Sequence, residues 1–359
     1  MEFPRSHRLE LELTSNCTLS CPQCPRVTRW DKRHEWHNGN IDSSALEDAI
    51  DDHVQMVAFA GSYGDGIYHK NFVDVLAMMK RKGLDISVDT NGSYIKQDKW
   101  NQIAEVISDM GTSCRFTFSI DGPHDNFTTY RVNGNWPSIE MGIRTLAKAG
   151  VRRLVWKYIV FKYNSSYEDI KRAYDKAWEL GCRGFQLVHT QRTAPGQFVP
   201  VEDFTHNLDK LEDYVAELMG TNWNHNKPPR LQIQIHPRVR KTNKQDTKSI
   251  GERKNKKRNV IHTMNVEERE LYQTEKVKPQ CMNVTTWLQF IGSDGIYYPC
   301  CYLRTDKQMM IDSLELTEED VESMSIYNHS IDEIVKGSGY KKLVAGFDKI
   351  ATCRKKCGR

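Results

Sequence analysis

Three cysteines fall within eight residues of one another near the start of the chain, in Ser15-Asn16-Cys17-Thr18-Leu19-Ser20-Cys21-Pro22-Gln23-Cys24-Pro25-Arg26. The spacing Cys17-x3-Cys21-x2-Cys24 supplies three thiolates, and no fourth Cys or His stands at a comparable spacing within the segment. A structural zinc site closes its tetrahedron with four protein ligands, so this triad would need a distant partner to hold zinc. A 4Fe-4S cube held by three thiolates instead leaves one iron open to a substrate or cofactor. Five of the ten cysteines lie after Pro279, at Cys281, Cys300, Cys301, Cys353 and Cys357, which points to a separate small metal-bearing unit. Cys114 and Cys182 fall at the start of a strand and just after a helix, positions that suit buried small hydrophobes.

These groups need a scaffold, and 359 residues are enough for one large domain and a smaller one. The formal charge of +4 is small for that length, so any anionic partner must be met locally. The N-terminal residues carry no apolar signal-peptide core, and no apolar run is long enough to span a membrane. The chain therefore reads as cytoplasmic, where thiols stay reduced and clustered cysteines indicate metal or catalysis more than disulfides.

From Leu9 to Val188, strand-like and helix-like segments alternate six times at intervals of about 30 residues, the rhythm of βα units. The expected strands are Leu9–Leu13, Val54–Phe59, Leu84–Val88, Cys114–Ile120, Leu154–Phe161 and Phe185–Val188. Between them, Ser44-Ala45-Leu46-Glu47 reads as a capping box, Asn71 as a helix cap, and Gly83, Gly150 and Gly181 as helix stops. Parallel βα folds place their chemistry in the loops after the strands. The residues to examine are then Cys17–Cys24, Gly61–Gly66, Asp89–Gly92, Ser119–Pro123, and the late strand ends with Lys157, His189, Thr190 and Arg192 as candidate pocket or catalytic groups.

The triad in the loop after the first strand resembles that of the radical S-adenosylmethionine (radical SAM) enzymes, whose cluster motif is Cys-x3-Cys-x2-Cys in that loop. Further matches run in order. Gly61-Ser62-Tyr63-Gly64-Asp65-Gly66 stands where the family has its Gly-Gly-Glu segment, Thr90-Asn91-Gly92 follows the third strand, and Phe118-Ser119-Ile120-Asp121-Gly122-Pro123 with Tyr130-Arg131 is similar to the peptide-modifying branch. The resemblance implies a partial (β/α)6 TIM-like barrel over residues 1–235. It also implies a 4Fe-4S cluster on Cys17, Cys21 and Cys24, with S-adenosylmethionine on its open iron. Gln23, Tyr63, Gly64, Asp65, Asn91, Ser119 and Arg131 become the implied cofactor contacts, and a flavodoxin- or ferredoxin-like protein the one-electron reductant. Two positions depart from the pattern: Gln23 replaces an aromatic residue, and Asp65 replaces Glu.

Gly295-x4-Cys300, after Cys281, resembles the opening of the SPASM and twitch domains that follow many of these barrels. By that resemblance residues 279–359 form a small α+β twitch domain. Cys281, Cys300, Cys353 and Cys357 then hold one auxiliary 4Fe-4S cluster, with Cys301 spare or exchanged for Cys300; a zinc ribbon on the same four is the alternative. Trp287–Tyr298 reads as a hairpin turning at Asp294-Gly295, and Ser330–Val335 as a helix between the cysteine sets.

The segment between, 236–278, reads as an insertion or linker. Residues 237–258 hold ten Lys or Arg against Asp246 and Glu252, a local +8 that suits a solvated loop or a surface for nucleic acid. The expected reaction is oxidation or carbon-centred bond formation on a small polar substrate such as an amino sugar or nucleoside. A ribosomally made peptide ranks second, because only 16 residues precede Cys17 and no leader-binding module is expected there. An RNA or nucleotide substrate ranks third, and a zinc-stabilised binding module is the non-enzymatic alternative.

Overall fold

The computed structural model describes residues 7–28, 39–190, 198–199, 201, 205–220, 227–234 and 288–357. Arg192, Cys281, the basic segment 237–258 and the side chain of Cys357 lie outside the described residues.

The βα alternation expected from the sequence is present. In chain order come β1 (Arg8–Leu11), the helical turn α1 (Pro25–Thr28), α2 (Ser43–Ala49), β2 (Met56–Phe59), α3 (Phe72–Arg81), β3 (Asp85–Thr90), α4 (Gln97–Ile107) and β4 (Cys114–Ser119). They are followed by α5 (Trp136–Lys148), β5 (Arg153–Val160), α6 (Tyr167–Glu179), β6 (Gly184–His189), α7 (Thr205–Gly220) and β7 (Arg230–Gln234). Strands β7-β6-β5-β4-β3 neighbour one another in that order, and separately β1 is followed by β8 (Leu288–Ile291) and β9 (Tyr297–Tyr298), the last two forming the expected hairpin. β8 and β9 pair antiparallel, whereas β8 joins β1 in parallel, Arg8 opposite Leu288.

Contacts divide the chain into two compact units. One contains Asn16–Arg33 and Ala58–Thr242, the other Met1–Ser15, His34–Val57 and Asn243–Arg359. In the first unit β3 to β7 run parallel, and each strand's outer face is apolar because a helix covers it. Trp100 of α4 packs its ring 6.0 Å from Phe116 and 5.5 Å from Phe118, and Tyr174 of α6 lies 5.4 Å from Phe185. Gly83, Gly150 and Gly181 all have positive φ and end their helices as the sequence indicates. Cys114 and Cys182 are buried.

The second unit continues after β9 with α8 (Cys301–Thr305), α9 (Lys307–Leu314), α10 (Glu318–Glu322), α11 (Ile331–Lys336), α12 (Ser338–Gly346) and α13 (Ala351–Cys357). Glu12, Ser293, Asp294, Tyr298, Arg304 and Lys307 form a buried polar cluster there: Ser293 Oγ donates to Glu12 at 2.7 Å, Tyr298 OH to Asp294 at 2.8 Å, and Lys307 Nζ lies 3.1 Å from Asp294. These bonds fix the Asp294-Gly295 turn onto α8 and α9.

One of two capping expectations is corrected. The α2 cap is Asp42, which accepts from Ser44 N at 3.0 Å, so Ser44 lies inside the helix and its box with Glu47 does not form the cap. Asn71 is the N-cap of α3 as expected, its carbonyl accepting from Val75 N at 3.0 Å, with no capping bond from its side chain.

Candidate functional site

The cysteine loop leaves β1 and is fixed by its own backbone. Cys24 N donates to Cys21 O at 3.0 Å, and Arg26 Nη1 donates to Cys17 O at 2.6 Å. Asp65 N, in the loop after β2, donates to Asn16 O at 2.9 Å, so two strand-end loops are joined beside Cys17.

Asp65 is the hub of this corner. Its Oδ2 accepts from Thr90 Oγ1 at 2.9 Å, from Asn91 N at 2.7 Å and from Asn91 Nδ2 at 2.7 Å, while Oδ1 accepts from Ile67 N at 3.2 Å. Burial pushes the Asp65 carboxyl up to about 6 despite these bonds. The second Nδ2 hydrogen of Asn91 points to Cys17 Sγ at 3.6 Å. Gly92, next in the chain, has φ +68 and stands against Phe118, where a Cβ would lie 2.8 Å from the ring; only glycine turns the chain there without strain.

The other side of the triad is held by Arg131. Its Nε donates to Asp121 Oδ2 at 2.6 Å, and its Nη1 lies 4.0 Å from Cys21 Sγ. Asp121 is fully buried, and its Oδ1 accepts from Ile159 N at 2.7 Å while its carbonyl accepts from Tyr163 OH at 2.8 Å and Asn164 Nδ2 at 3.0 Å. Burial works against the Arg131 charge, but Asp121 and Cys21 more than offset it and keep the guanidinium protonated.

Around the sulfurs the environment is apolar. Leu19, Cys21, Tyr130 and Phe161 form a buried cluster against which Cys17, Cys24, Ile159, Tyr163 and Phe198 pack. Burial, then the charge of Asp65, pushes the Cys17 thiol up to about 12, and burial raises Cys21 against the opposing pull of Arg131. A bare thiolate is therefore costly here, and positive irons would supply the missing charge. Among the described residues, no three His, Cys, Asp or Glu side chains converge closely enough to grip a single ion. A polynuclear cluster, in which each ligated iron takes one thiolate, does not require that convergence.

Other expected residues fall in two places. Lys157 Nζ pairs with Asp89 Oδ2 at 2.8 Å, and the register Ser119↔Lys157 puts Ser119 on the same face of the sheet. Arg115 and Gln186 share that face and bond at 2.9 Å. His189 pairs with Val160, one position out of phase with Lys157, so it lies on the opposite, helix-covered face, where its Nε2 meets Val201 O at 2.9 Å. The structure therefore groups Lys157 with Ser119 and separates both from His189. Tyr63 is buried in the Gly61–Asp65 loop, and a Cβ on Gly61 would meet Gly64 O at 2.3 Å, which explains the glycine spacing.

Several residues around the site were not singled out by sequence. Tyr68 brings its hydroxyl 2.8 Å from Thr18 Oγ1, 2.8 Å from Asn91 Oδ1 and 2.7 Å from Ser93 O. Asp121 stood in a quoted motif but reads locally as turn chemistry, and Phe198 has no local signal at all. In the second unit, Cys300 caps α8, Cys353 lies on α13 and is half-buried, and Cys301 is hydrogen-bonded to Glu10 of β1.

The chain is similar to known proteins in sequence and in fold. Residues 11–177 match the model of the Radical SAM superfamily. A cofactor-modifying protein for a tungsten-containing aldehyde ferredoxin oxidoreductase from Pyrococcus furiosus is 27% identical over 107 residues, covering 28% of this chain and 28% of that protein. SuiB of Streptococcus suis bound to its precursor peptide SuiA superposes with a TM-score of 0.56 at 12% identity, over 84% of this chain and 61% of SuiB. SuiB bound to S-adenosylmethionine gives 0.53 at 13% identity, over 83% of this chain and 61% of SuiB. The chain thus spans about three fifths of SuiB's length and just over a quarter of the Pyrococcus protein's. No helix among the described residues is long and apolar enough to cross a membrane. Residues 11–177, a little under half of the chain, are thus similar to the Radical SAM superfamily.

Proposed function

We propose that the protein is a radical SAM enzyme that abstracts hydrogen from a small polar substrate and oxidises it with the help of a second 4Fe-4S cluster. The donor set fits the first cluster: three thiols in one loop, an N–H from Asn91 on Cys17, the Arg131 cation near Cys21, and aromatic walls that exclude water. When bound, the cluster supplies the electron that cleaves S-adenosylmethionine reductively to methionine and a 5′-deoxyadenosyl radical.

The chain's own part is to hold and orient. Asp65 acts through Asn91, because its carboxylate is taken up by Thr90, Asn91 and Ile67. Arg131 keeps donors beyond the one spent on Asp121, which fits it to the carboxylate of S-adenosylmethionine. An external flavodoxin- or ferredoxin-like protein delivers the electron.

The observation that carries the substrate class is the Lys157–Asp89 pair, half-exposed on the face that also holds Ser119, Arg115 and Gln186. A face with charged and amide groups so placed suits hydroxyl and amino groups on a small molecule. Lys157 is the group best placed to take or give a proton there. The partner fold SuiB, bound to a precursor peptide, favours a peptide substrate as the second reading.

For the auxiliary cluster, Cys353 and Cys357 stand four residues apart in the sequence, and Cys300 contributes from the end of the hairpin. Cys301, occupied by Glu10, is the spare. Cys281 completes the set in this reading.

The test is turnover by the anaerobically reconstituted protein with reductant, S-adenosylmethionine and panels of amino sugars, nucleosides and short peptides. Formation of 5′-deoxyadenosine in step with a product that has lost two hydrogens, from a small polar compound only, supports the first reading. The same result from peptides alone replaces it with the second.

A further inference from the structure

Among the described residues, Arg115 is a half-buried cation that no carboxylate pairs with. Its Nη2 donates to Gln186 Oε1 at 2.9 Å, a neutral partner, and its Nε is buried with no partner. Two other inward-turned arginines are met differently: Arg131 has Asp121 at 2.6 Å, and Arg304 lies 3.7 Å from Glu12 and 3.5 Å from Asp294. A guanidinium stays charged at any physiological pH, so withdrawing it from water beside an amide alone is costly until an anion reaches it.

Thr117 is the second element. It stands two residues further along β4 on the same face, about 7 Å away by strand geometry. It is fully buried, and its Oγ1 has no partner. The register sets Asp89 of β3 opposite Thr117 and Lys157 of β5 opposite Ser119, so the Lys157–Asp89 pair crosses β4 on the Ser119 side of Thr117. Arg115, bonded across β5 to Gln186, stands on the other side. Among the described residues, this face of β3 to β7 carries Arg115, Arg153, Lys157 and Arg230 against two carboxylates, Asp85 and Asp89. The face is cationic, and the unmet charge lies beside an unmet hydroxyl.

We propose that this face binds an anionic group of the substrate, a carboxylate or a phosphate ester, through Arg115 Nε and the Thr117 hydroxyl. An oxyanion offers two acceptors to two donors so spaced and neutralises the guanidinium, whereas a neutral hydroxyl answers one donor and leaves the charge unmet. Lys157 keeps to Asp89, so the group that handles the proton and the groups that anchor the substrate are neighbours on one face. The proposal rests on the reading of this face as the substrate surface and adds the charge the substrate carries. Amino sugars and nucleosides then qualify only in acidic or phosphorylated forms.

Acetate and inorganic phosphate are the probes, titrated at constant ionic strength into the reconstituted protein and followed by the broadening of their own NMR signals. One or both should bind with a dissociation constant on the order of millimolar. Thr117→Val, which keeps the side chain's shape and removes its hydroxyl, should weaken that binding about tenfold, and Arg115→Gln by at least about tenfold, as for hydrogen bonds to a charged group. Acetate alone supports a carboxylate, phosphate alone a phosphate ester, and both together a site for either. Binding of neither probe overturns the proposal, and so does binding that Thr117→Val leaves unchanged, which marks an ion held elsewhere. Iron content equal to the parent's shows that a variant is folded, and Thr117→Val carries the test if Arg115→Gln is not. These failures leave the substrate reading of the face standing, whereas product formation undiminished in Lys157→Met removes that reading.

Discussion

Cys17, Cys21 and Cys24 sit in a loop, whereas Cys300, Cys301 and Cys353 sit at or on helices, and the two regions differ in how they use their buried polar groups. The loop thiols are met by groups from other strand ends: Asn91 after β3, Arg131 and Tyr130 after β4, and Phe161 after β5. The second unit instead spends its buried charge on its own frame, through Glu12, Asp294, Arg304 and Lys307. A site that must receive a cofactor needs donors arrayed around an open position, and parallel strand ends deliver them. In the proposed reading the second site is closed by four thiolates and needs no open position.

The comparison breaks first at the cysteines. Cys17→Ala, Cys21→Ala or Cys24→Ala should each reduce 5′-deoxyadenosine formation to background and lower the iron content by about four per chain. Cys353→Ala should also lose about four irons, yet retain cleavage of S-adenosylmethionine while the oxidised product disappears. Loss of cleavage in Cys353→Ala would erase the division of labour between the two regions.

Lys157→Met should lower product formation by roughly a hundredfold, the usual contribution of a positioned proton-transfer group. Radical generation, measured as uncoupled 5′-deoxyadenosine, should persist. A matched fall in both would make Lys157 part of the cofactor's support instead.

The smallest effect lies in the frame of the second unit. Asp320 is buried at the start of α10, where Lys342 Nζ at 2.6 Å and the Thr317 and Ser338 groups hold its carboxyl below the usual carboxylate range. A depressed pKa stabilises the fold above the unfolded value of about 4, and that stabilisation is lost as pH falls through the folded value. Asp320→Asn should melt a degree or two lower at pH 7, in line with about 0.5 kcal/mol in a chain of this size. The difference should close as pH drops below about 4.

Much of this was legible in the sequence. The six βα units appear within a residue or two of their expected ends, because alternating apolar patterns and helix-ending glycines are local signals. The triad and its place after β1 were legible for the same reason. Three things were not. Asp42 took the α2 cap from Ser44, a choice between neighbours that both bear capping oxygens. β7 extends the parallel array beyond the six expected strands; Leu231-Gln232-Ile233-Gln234 alternates apolar and polar as a strand does, but which strand it joins is set by the topology. The bond from Gln23 to Phe198 and the saturation of Asp65 depend on which loops the topology brings together, which no window of local sequence contains.

The central claim is that the loop cysteines hold a cluster that cleaves S-adenosylmethionine. Anaerobic reconstitution followed by iron and sulfide counting, on the parent and on Cys17→Ala, addresses it most directly. About eight irons per chain in the parent and about four in the variant, with 5′-deoxyadenosine formed by the parent alone, are expected. A colourless protein holding zinc and no sulfide, or undiminished cleavage in Cys17→Ala, would contradict it.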